Sequence, residues 1–389
     1  MPWKKADVQD QRIEFVVRAA KSSEPFGDLC EEFGVHRSTG HRWLKRYLEL
    51  GSVVELKELS RRPHHSPRQT LESVAERVVE LRRRYGWGAR KLQVLLAREE
   101  IELASATVHR ILRRHGVIDA RDPTPALGKR FEREAPNELW QMDFKGIKEA
   151  WLRRFGKIYP LTMLDDHSRF ATGLFGLPAP DAEGVEGCLR TAFDEVGLPD
   201  AMLMDHGTPW WNHANGYGLT RLSVDLMKQG IRLYIGAVRH PQTQGKVERL
   251  HRTLEEALQH ATAQRTFPGW QEFLRNFRAE YNYLRPHEAL NLQVPAARYR
   301  PSPRCWNPSP PAWDYGPTAL VAGLNSQGSL DYERQRHYVC RALAGEEVAL
   351  ELLHNRLLVR YRRTWIREID LTSGKSLPIV GGRHPLGQP

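Results

Sequence analysis

The sequence LWQMDFK, residues 139–145, is an apolar run that carries one acid, Asp143. Its length and its aromatic and aliphatic content are typical of a strand. An ionised carboxylate in so apolar a strand is destabilising unless it is paired, hydrogen-bonded or bound to a metal. The run therefore predicts a strand in which the acid has a specific partner.

Further strands and helices alternate on the carboxyl-terminal side of this run. Strand-like apolar runs cover residues 158–164, 169–175, 201–204 and 231–235. Helix-like spacing of apolar residues covers residues 182–196, 220–229, 246–264 and 269–283. This alternation predicts an α/β core with a mixed sheet over residues 137–300.

Two more acids are expected beside Asp143 at the edge of this sheet. Asp205 follows the apolar run 201–204, and Glu248 lies in the first turns of the helix predicted from residue 246. Three converging carboxylates with open positions for water and phosphate suit Mg²⁺ or Mn²⁺ better than zinc. A pair of such ions supports in-line displacement at phosphorus. We therefore predict that Asp143, Asp205 and Glu248 are the catalytic residues and the ligands of two ions.

Other acids in the same region have simpler explanations. Asp165 and Asp166 are adjacent, and a turn between two strands explains them at least as well as a catalytic role. Glu255 and Glu256 lie two helical turns beyond Glu248, where a solvated face is a simpler interpretation than a third ligand.

The first 120 residues predict two small helical modules. Helical spacing covers residues 11–21, 27–33 and 39–50 in the first module, and 70–84, 89–99 and 104–115 in the second. Ser38 is a possible N-cap of the third helix, and Gly51 follows its end. Three helices with a turn before the last predict a helix-turn-helix, whose last helix enters the major groove of DNA.

The last helix of each module carries the polar side chains expected to contact DNA. In the domain predicted over residues 1–60 they are Arg37, Ser38, His41, Arg42 and Lys45. In the domain predicted over residues 61–120 they are Arg110, Arg113 and Arg114. An ordinary helical bundle with a solvated basic face is the alternative.

The remaining segments are predicted from composition. Residues 121–136 resemble a linker, and residues 301–317, with six prolines, predict a semi-rigid spacer. Short alternating runs over residues 318–372 predict a small, SH3-like β-barrel, followed by a flexible tail over 373–389. The barrel is expected to present a basic DNA-binding face or to act as a scaffold or oligomerisation module, and its arginines are Arg356, Arg360, Arg362, Arg363 and Arg367.

Composition narrows the class of protein. The chain has 389 residues and a net charge of +11, which suits a polyanionic partner. Residues 1–135 carry 27 basic and 20 acidic residues, whereas the middle of the chain is nearly balanced. No apolar run is long enough for a membrane span, and none follows Lys4 and Lys5 as in a secretory signal. The four cysteines form no C-x-x-C pair, so we expect a cytoplasmic protein without disulfides.

Five stretches resemble the successive motifs of the bacterial insertion-sequence DDE transposases, which share the retroviral-integrase core. They are WQMDFKG (140–146), LDDHSRF (164–170), MDHGTPW (204–210), HPQTQGKVERLHRTL (240–254) and YNYLRPHEAL (281–290). HPQTQGKVER is the most specific of them. The resemblance implies an RNase-H-like fold in which Asp143, Asp205 and Glu248 bind the metal ions.

The resemblance also implies a reaction and its partners. Water attacks to nick each transposon end at its terminal inverted repeat, and the freed 3′-hydroxyl then attacks double-stranded target DNA. No covalent protein–DNA intermediate forms. Because two ends must react, a homodimer or a larger synaptic assembly is expected. The alternatives are a DNA-binding regulator that retains the core as a scaffold, and a nuclease acting on RNA–DNA hybrids.

Two departures from the family pattern concern the second acid. The 42 residues between Asp205 and Glu248 are more than is usual in the family, and we expect the extra ones within residues 211–220. His206 follows Asp205 where many relatives have asparagine. Both departures bear on the conformation of this loop rather than on the identity of the acids.

Basic and aromatic side chains near the acids are candidates for contact with DNA. Lys246, Arg249 and Arg252 are expected to hold phosphates, although Arg252 could instead pair with an acid farther along its helix. Trp210 and Trp211 could stack on an unpaired base, but aromatic pairs beside a strand end more often pack in the core.

Overall fold

The computed structural model describes residues 8–21, 23–56, 69–118, 132–146, 157–205, 207–212, 218–235, 245–260 and 266–379. The chain forms two compact units, Met1–Thr70 and Leu71–Pro389. Residues 57–68, most of the expected linker at 121–136, and His206 lie outside the described residues. Within the described ranges, no helix is long and apolar enough to cross a membrane.

The first unit contains the three helices expected of its module. They are α1 (Val8–Lys21), α2 (Phe26–Glu32) and α3 (Arg37–Leu50). Phe15, Leu29 and Cys30 are buried among them. Gly40 lets α3 approach this core closely, since a Cβ there would lie 2.8 Å from the Phe15 ring.

The two ends of α3 differ in how well the sequence predicts them. Gly51 ends the helix with a φ of 67°, as expected of a glycine in the left-handed region. The N-cap is His36 and not Ser38, because the His36 ring accepts the Ser38 backbone N–H at 3.3 Å. The expected cap was therefore wrong by two residues.

The second unit opens with the helices of the second module. They are α4 (Glu72–Tyr85), α5 (Ala89–Arg98) and α6 (Ser105–Arg114). One face of α6, formed by Val108, Ile111 and Leu112, is fully buried against α4 and α5. The opposite face of α6 is exposed.

A five-stranded mixed sheet follows, with the strand order β3-β2-β1-β4-β7. Its strands are β1 (Trp140–Phe144), β2 (Tyr159–Asp165), β3 (Ala171–Leu177), β4 (Ala201–Met204) and β7 (Arg232–Ile235). β1 and β2 pair antiparallel, as do β2 and β3, whereas β1–β4 and β4–β7 are parallel. Between β4 and β7, a short ribbon is formed by β5 (Trp211–Asn212) and β6 (Gly218–Leu219). The sheet confirms the mixed α/β core.

Helices cover both faces of this sheet. They are α7 (Ala182–Val196), α8 (Arg221–Lys228), α9 (Gly245–His260) and α10 (Phe267–Ala279). On one face, α9 and α10 bury Leu250, Leu254 and Leu274 against β2 and β3. On the other face, α7 and α8 share a second core with the sheet.

The carboxyl-terminal region is an open sheet, so the closed barrel expected there is not observed. Its five strands, in the order β14-β13-β12-β11-β8, are β8 (Leu320–Gly323), β11 (Glu347–Leu353), β12 (Arg356–Tyr361), β13 (Thr364–Asp370) and β14 (Ser376–Pro378). A hairpin of β9 (Ser329–Tyr332) and β10 (Gln335–Tyr338) accompanies it. The sheet buries Leu357 and Val359 in the same core as Leu233 and Ile235 of the central domain. Because the central domain covers this apolar face, closure is not needed to bury it.

The proline-rich segment is packed against the central domain, so its expected role as a spacer is wrong. Arg304 donates to the carbonyls of Pro199 at 2.8 Å and Gln229 at 2.7 Å. Trp306 stacks on Phe193 with 5.8 Å between ring centroids. The expected flexible tail also begins too early, since β14 pairs with β13.

Gly197 makes the packing of this segment possible and gives a test of it. Its φ is 76°, and a Cβ there would lie 2.2 Å from the carbonyl oxygen of Ser302. We expect Gly197→Ala to lower the free energy of unfolding by about 2 kcal/mol or more, because both the backbone conformation and the contact oppose a side chain. Denaturant unfolding of the full chain measures this loss.

Gly187 is the matched control, because it lies within α7 and a Cβ added there would meet only open space. Gly187→Ala should be neutral or raise the free energy of unfolding by up to about 1 kcal/mol. Equal effects of the two substitutions would contradict the tight packing at Gly197.

Candidate active site

The parallel pairing of β1 with β4 brings two of the expected acids together. In the observed register, Trp140 lies opposite Met202 and Gln141 lies opposite Leu203. The same register, carried two residues farther, places Asp143 opposite Asp205. Both acids therefore lie at the carboxyl edge of the parallel pair, where open α/β sheets bind their ligands.

The third acid is carried by α9, which packs over β1 and β2. Val247 and Leu250 are fully buried beneath the helix, whereas Glu248 is exposed. His251, one turn later, forms a 2.8 Å hydrogen bond with Thr162. Thr162 pairs with Asp143 in the sheet and donates its hydroxyl to the Asp143 carbonyl at 2.9 Å. The hydroxyl proton is thus used, so Nε2 of His251 must be the donor, and α9 is fixed directly over the strand of Asp143.

The charges of the three acids act on one another. Burial raises the pKa of Asp143 to about 7, and the negative charges of Asp205 and Glu248 act in the same direction. Burial also lowers the pKa of His251 to about 4, so this ring adds no positive charge at neutral pH. Within the described residues, none of the three acids is in an ion pair. The arrangement accumulates negative charge that a cation would neutralise.

The donor set suits a hard divalent cation. Carboxylate oxygens are the ligands that Mg²⁺ and Mn²⁺ prefer, and the pKa of Asp143 is raised first by burial and then by the neighbouring acids. As they stand, however, no three His, Cys, Asp or Glu side chains in the described ranges lie close enough together to hold an ion. The three carboxylates therefore fit the metal in chemistry, and the charges of Asp205 and Glu248 both act on Asp143.

Asp205 is held by donors from the residues that follow it. Its Oδ1 accepts the Gly207 backbone N–H at 2.9 Å and the Trp210 indole N–H at 3.2 Å. A Cβ on Gly207 would lie 2.8 Å from this oxygen. The Trp210 ring stacks on Phe144, the neighbour of Asp143, with 5.7 Å between centroids and 8° between planes. Trp210 thus connects the strand ends that carry the two acids.

The sequence did not predict this role for Trp210. It allowed either stacking on an unpaired base or packing in the core. Trp210 and Trp211 are 1% and 3% exposed, so both belong to the core and cannot stack on DNA. The packing alternative is the correct one. The Trp–Asp hydrogen bond spans five residues of loop, and no local pattern signals it.

The LDDHSRF stretch forms the turn between β2 and β3, and both of its acids are fully buried. Asp165 accepts the Ser168 backbone N–H and the Asn137 backbone N–H, both at 2.7 Å. Asp166 accepts from the Gln141 side chain at 2.7 Å and pairs with Lys246 at 2.6 Å. The interpretation as a turn is confirmed.

Lys246 therefore has a protein partner where the sequence suggested a phosphate. Its ammonium group also donates to the Asp166 carbonyl at 3.0 Å, which ties the start of α9 to the β2–β3 turn. Glu255, expected on a solvated face, instead pairs with the buried Lys145 at 3.3 Å. Arg249 and Arg252 are exposed on α9, and their contact with phosphate stays a prediction.

The helical modules present the other expected DNA contacts to solvent. The exposed residues of α3 include Arg37, Ser38, His41, Arg42 and Lys45, and those of α6 include Arg110, Arg113 and Arg114. His41 stacks on Phe26 with 4.1 Å between ring centroids. All eight side chains are accessible to DNA. Their role in DNA binding stays a prediction.

The basic face expected on the carboxyl-terminal sheet is only partly exposed. Arg362 and Arg367 are buried and donate to the backbone carbonyls of Lys228 and Val339. Arg356 pairs with Glu368. Arg362 and Arg367 hold the sheet together and against the central domain, so the expectation that they face DNA is wrong.

The mixed sheet, its adjacent edge acids and the preceding helical modules define a class, the DNA-binding proteins with an integrase-like core. Residues 133–241 and 229–295 each match the integrase core domain. Residues 11–64 match a helix-turn-helix domain, and residues 39–112 match a homeodomain-like domain.

Among known proteins, a 31.7 kDa protein of insertion element IS407 from Burkholderia multivorans is 30% identical over 250 residues, which is 59% of this chain and 82% of that protein. The chain belongs to the insertion-sequence transposases with an integrase-like core, a family of polynucleotidyl transferases.

More distant similarities extend to retroviruses. The Gag-Pol polyprotein of baboon endogenous virus is 25% identical over 192 residues, which is 48% of this chain and 10% of the polyprotein. An intasome structure of simian T-cell lymphotropic virus, solved with a PP2A regulatory subunit, includes a chain with 16% identity and a TM-score of 0.36. The alignment covers 74% of this chain and 97% of that one.

The hydrogen bond from Trp210 to Asp205 can be tested with Trp210→Phe. The phenyl ring keeps the stack on Phe144 but removes the indole N–H, which donates to both the carbonyl and the carboxylate of Asp205. We expect DNA transfer activity to fall by about 10- to 100-fold, as when other groups that orient metal ligands are removed, with unchanged DNA affinity. Gel assays of DNA cleavage and fluorescence anisotropy measure the two quantities.

Trp306→Phe is the matched control, because the Trp306 ring also stacks on a phenylalanine and its indole N–H has no hydrogen-bond partner among the described residues. It should leave activity unchanged. A loss of DNA affinity in Trp210→Phe that matches its loss of activity would instead indicate a direct contact with DNA.

The ion pair between Lys246 and Asp166 gives a second test. Lys246→Met removes one partner of a mostly buried pair and should lower the free energy of unfolding by roughly 3 kcal/mol. It should leave the salt dependence of DNA binding unchanged, because Lys246 is not expected to release counterions from a phosphate.

Arg252→Met serves as the comparison on the same helix. If Arg252 contacts a phosphate, the slope of log affinity against log salt should fall by about one, with little change in stability. A fall of that size in Lys246→Met would contradict a purely structural role for Lys246.

Proposed function

We propose that the protein is a transposase that binds the terminal inverted repeats of its insertion sequence, cleaves their 3′ ends and joins them to target DNA. Asp143, Asp205 and Glu248 carry out the catalysis and together hold two Mg²⁺ or Mn²⁺ ions. The observation that supports the proposal is the β1–β4 register, which continued by two residues puts Asp143 opposite Asp205, together with the charge of Glu248 on α9 that acts on Asp143. Membership of the transposase family supports the same reaction.

The chain's own groups prepare the site for a phosphoester. Asp143 and Asp205 supply fixed oxygen ligands on a rigid sheet, and the N–H groups of Gly207 and Trp210 set the orientation of Asp205. Glu248 completes the set from a helix whose start is held by Lys246 and whose next turn is held by His251. When bound, two divalent ions would activate the attacking oxygen and neutralise the charge that develops at phosphorus.

The reaction needs no nucleophile from the protein. In the first step the oxygen of a water molecule bonds to phosphorus, the bond to the 3′ oxygen breaks, and a free 3′-hydroxyl results. In the second step this hydroxyl bonds to a phosphorus of the target, and the target's own 3′ oxygen leaves. One phosphodiester replaces another in the second step, so positioning and charge stabilisation supply the catalysis.

DNA recognition is assigned to the helical modules and to α9. The exposed basic residues of α3 and α6 read the inverted repeat, while Arg249 and Arg252 hold phosphates beside Glu248. Since each transposition joins two ends, we propose that two or more copies of the chain assemble on DNA. The helix-turn-helix modules support double-stranded DNA as the partner, because their last helix has the form that enters the major groove.

The proposal is tested by Asp205→Asn in the full chain. The substrate is the DNA that flanks the gene, with its inverted repeats, and Mg²⁺ or Mn²⁺ is supplied. We expect strand transfer to fall by a factor on the order of 10³ or more with unchanged repeat binding, because the amide cannot provide an anionic ligand. Divalent metal should also raise the Tm of the wild type but not of the variant, because binding to the native state stabilises it.

Asp194→Asn is the control, since Asp194 is exposed near the end of α7, which precedes the start of β4 rather than the acid-bearing end of that strand. It should behave as the wild type in all three measurements. Wild-type strand transfer by Asp205→Asn would overturn the assignment. A wild-type protein that binds the repeats but never cleaves them would instead favour the regulator that keeps the core as a scaffold.

A further inference from the structure

The YNYLRPHEAL stretch, residues 281–290, has no part in the chemistry proposed above. It follows α10, where the backbone widens into a π-helical turn, Glu280–Leu284. Such turns occur often at functional sites. Within this turn, Asn282 is 1% exposed and forms two hydrogen bonds with Ala171 of β3, at 2.8 and 3.0 Å. The start of the stretch is therefore fixed to the catalytic sheet.

Farther along the stretch, Leu284 and Arg285 contact the second helical module. Leu284 packs against the hydrophobic core shared by α4, α5 and α6. The Leu284 carbonyl accepts a hydrogen bond from Arg98 of α5 at 3.1 Å. The guanidinium of Arg285 lies over the ring of Trp87, 5.4 Å from its centroid. We call these four residues, Leu284, Arg285, Trp87 and Arg98, the module joint.

The joint is connected onward to the end of α6. Arg82 of α4 donates to the Trp87 carbonyl and to the Val117 carbonyl, both at 3.0 Å. Trp87 is buried against the module core, and its ring also stacks on Tyr85. A continuous set of contacts thus runs from β3 through Asn282, the joint and Arg82 to the residues that follow α6.

Close contact at the joint also changes the pKa values of two basic side chains, Arg285 and Lys91. Burial lowers the pKa of Arg285, whose positive charge lies near Glu256 of α9, Glu280 and Glu288 without a direct ion pair among the described residues. Lys91 of α5 lies near enough to sense Arg285, and burial followed by this repulsion lowers its pKa to about 8. The Trp87 face is a direct contact for the Arg285 cation.

From this geometry we propose that Leu284 and Arg285 are positioning residues, which hold the second helical module rigidly on the catalytic core so that DNA bound by α6 presents one particular phosphate to the carboxylates. The inference rests on the proposed function. Its physical basis is that a misplacement of about 1 Å at the reacting atoms can reduce a rate about 100-fold. A loose module would still bind DNA but would deliver it imprecisely.

The test is Arg285→Ala in the full chain, assayed on inverted-repeat DNA with Mn²⁺. We expect DNA affinity and KM within about twofold of the wild type, kcat for 3′-end cleavage reduced at least about tenfold, and cuts spread over neighbouring phosphates. The spread of cut positions is the decisive result, because a general loss of stability would lower activity without moving the cut. Arg285→Lys, which keeps a cation over Trp87, should restore much of the precision.

Arg190→Ala is the matched control. Arg190 lies 3.9 Å from the centroid of the Trp306 ring, in a comparable contact that is separate from the joint. It should cleave at the wild-type position. If Arg285→Ala fails to fold, Arg98→Ala decides the question, because Arg98 is exposed and loses only its bond to Leu284.

Two results would overturn the inference. One is cleavage by Arg285→Ala, or by Arg98→Ala in its place, at the wild-type position and rate. The other is an equal loss of DNA affinity and kcat, which would make Arg285 a DNA contact. An inactive wild type would overturn the proposed function itself, so the two failures are distinguishable.

Discussion

The parallel pairing of β1 with β4 places two carboxylates side by side at one edge of the sheet, and much of the surrounding structure accommodates that charge. Asp205 is held by neutral N–H donors from Gly207 and Trp210. His251, the imidazole that contacts the strand pair of Asp143, is kept neutral by burial and by Lys145. Neutral donors orient the acids without cancelling their charge. The negative charge of this edge is therefore left available to the divalent ions of the proposed reaction.

The elements that could be predicted are those whose signal is local. The apolar run 201–204 and the helical pattern 182–196 agree with the observed bounds of β4 and α7. Asp143 and Asp205 could be identified as candidate site residues, because an ionised acid within or just after an apolar strand is costly without a specific partner. Their adjacency depends on the strand order, which periodicity could not predict and of which the family resemblance implied only the RNase-H-like fold.

The features that escaped prediction depend on contacts between distant residues. Lys246 is 80 residues from its partner Asp166, and no local sequence pattern near either residue predicts the ion pair. The prolines of 301–317 favour an extended chain, but Arg304 and Trp306 within that segment determine where the chain lies. In the same way, alternation predicted the strands of the carboxyl-terminal sheet, whereas its failure to close reflects a neighbouring domain that already covers its apolar face.

The longer segment between Asp205 and Glu248 has a structural explanation in this shared core. Its ribbon, β5 and β6, buries Trp211 and Leu219 together with Val339 and Ile366 of the carboxyl-terminal region. Cys340 also donates its thiol to the Leu219 carbonyl at 3.6 Å. Since Trp211 directly follows the residue that orients Asp205, the carboxyl-terminal sheet supports the loop of the second acid from behind.

The basic and acidic residues of the central region are nearly balanced in number, and buried pairs such as Lys145–Glu255 and Lys246–Asp166 use its basic residues internally. The exposed arginines of the helical modules are not used in this way, so the basic excess of the chain remains accessible there for a polyanion.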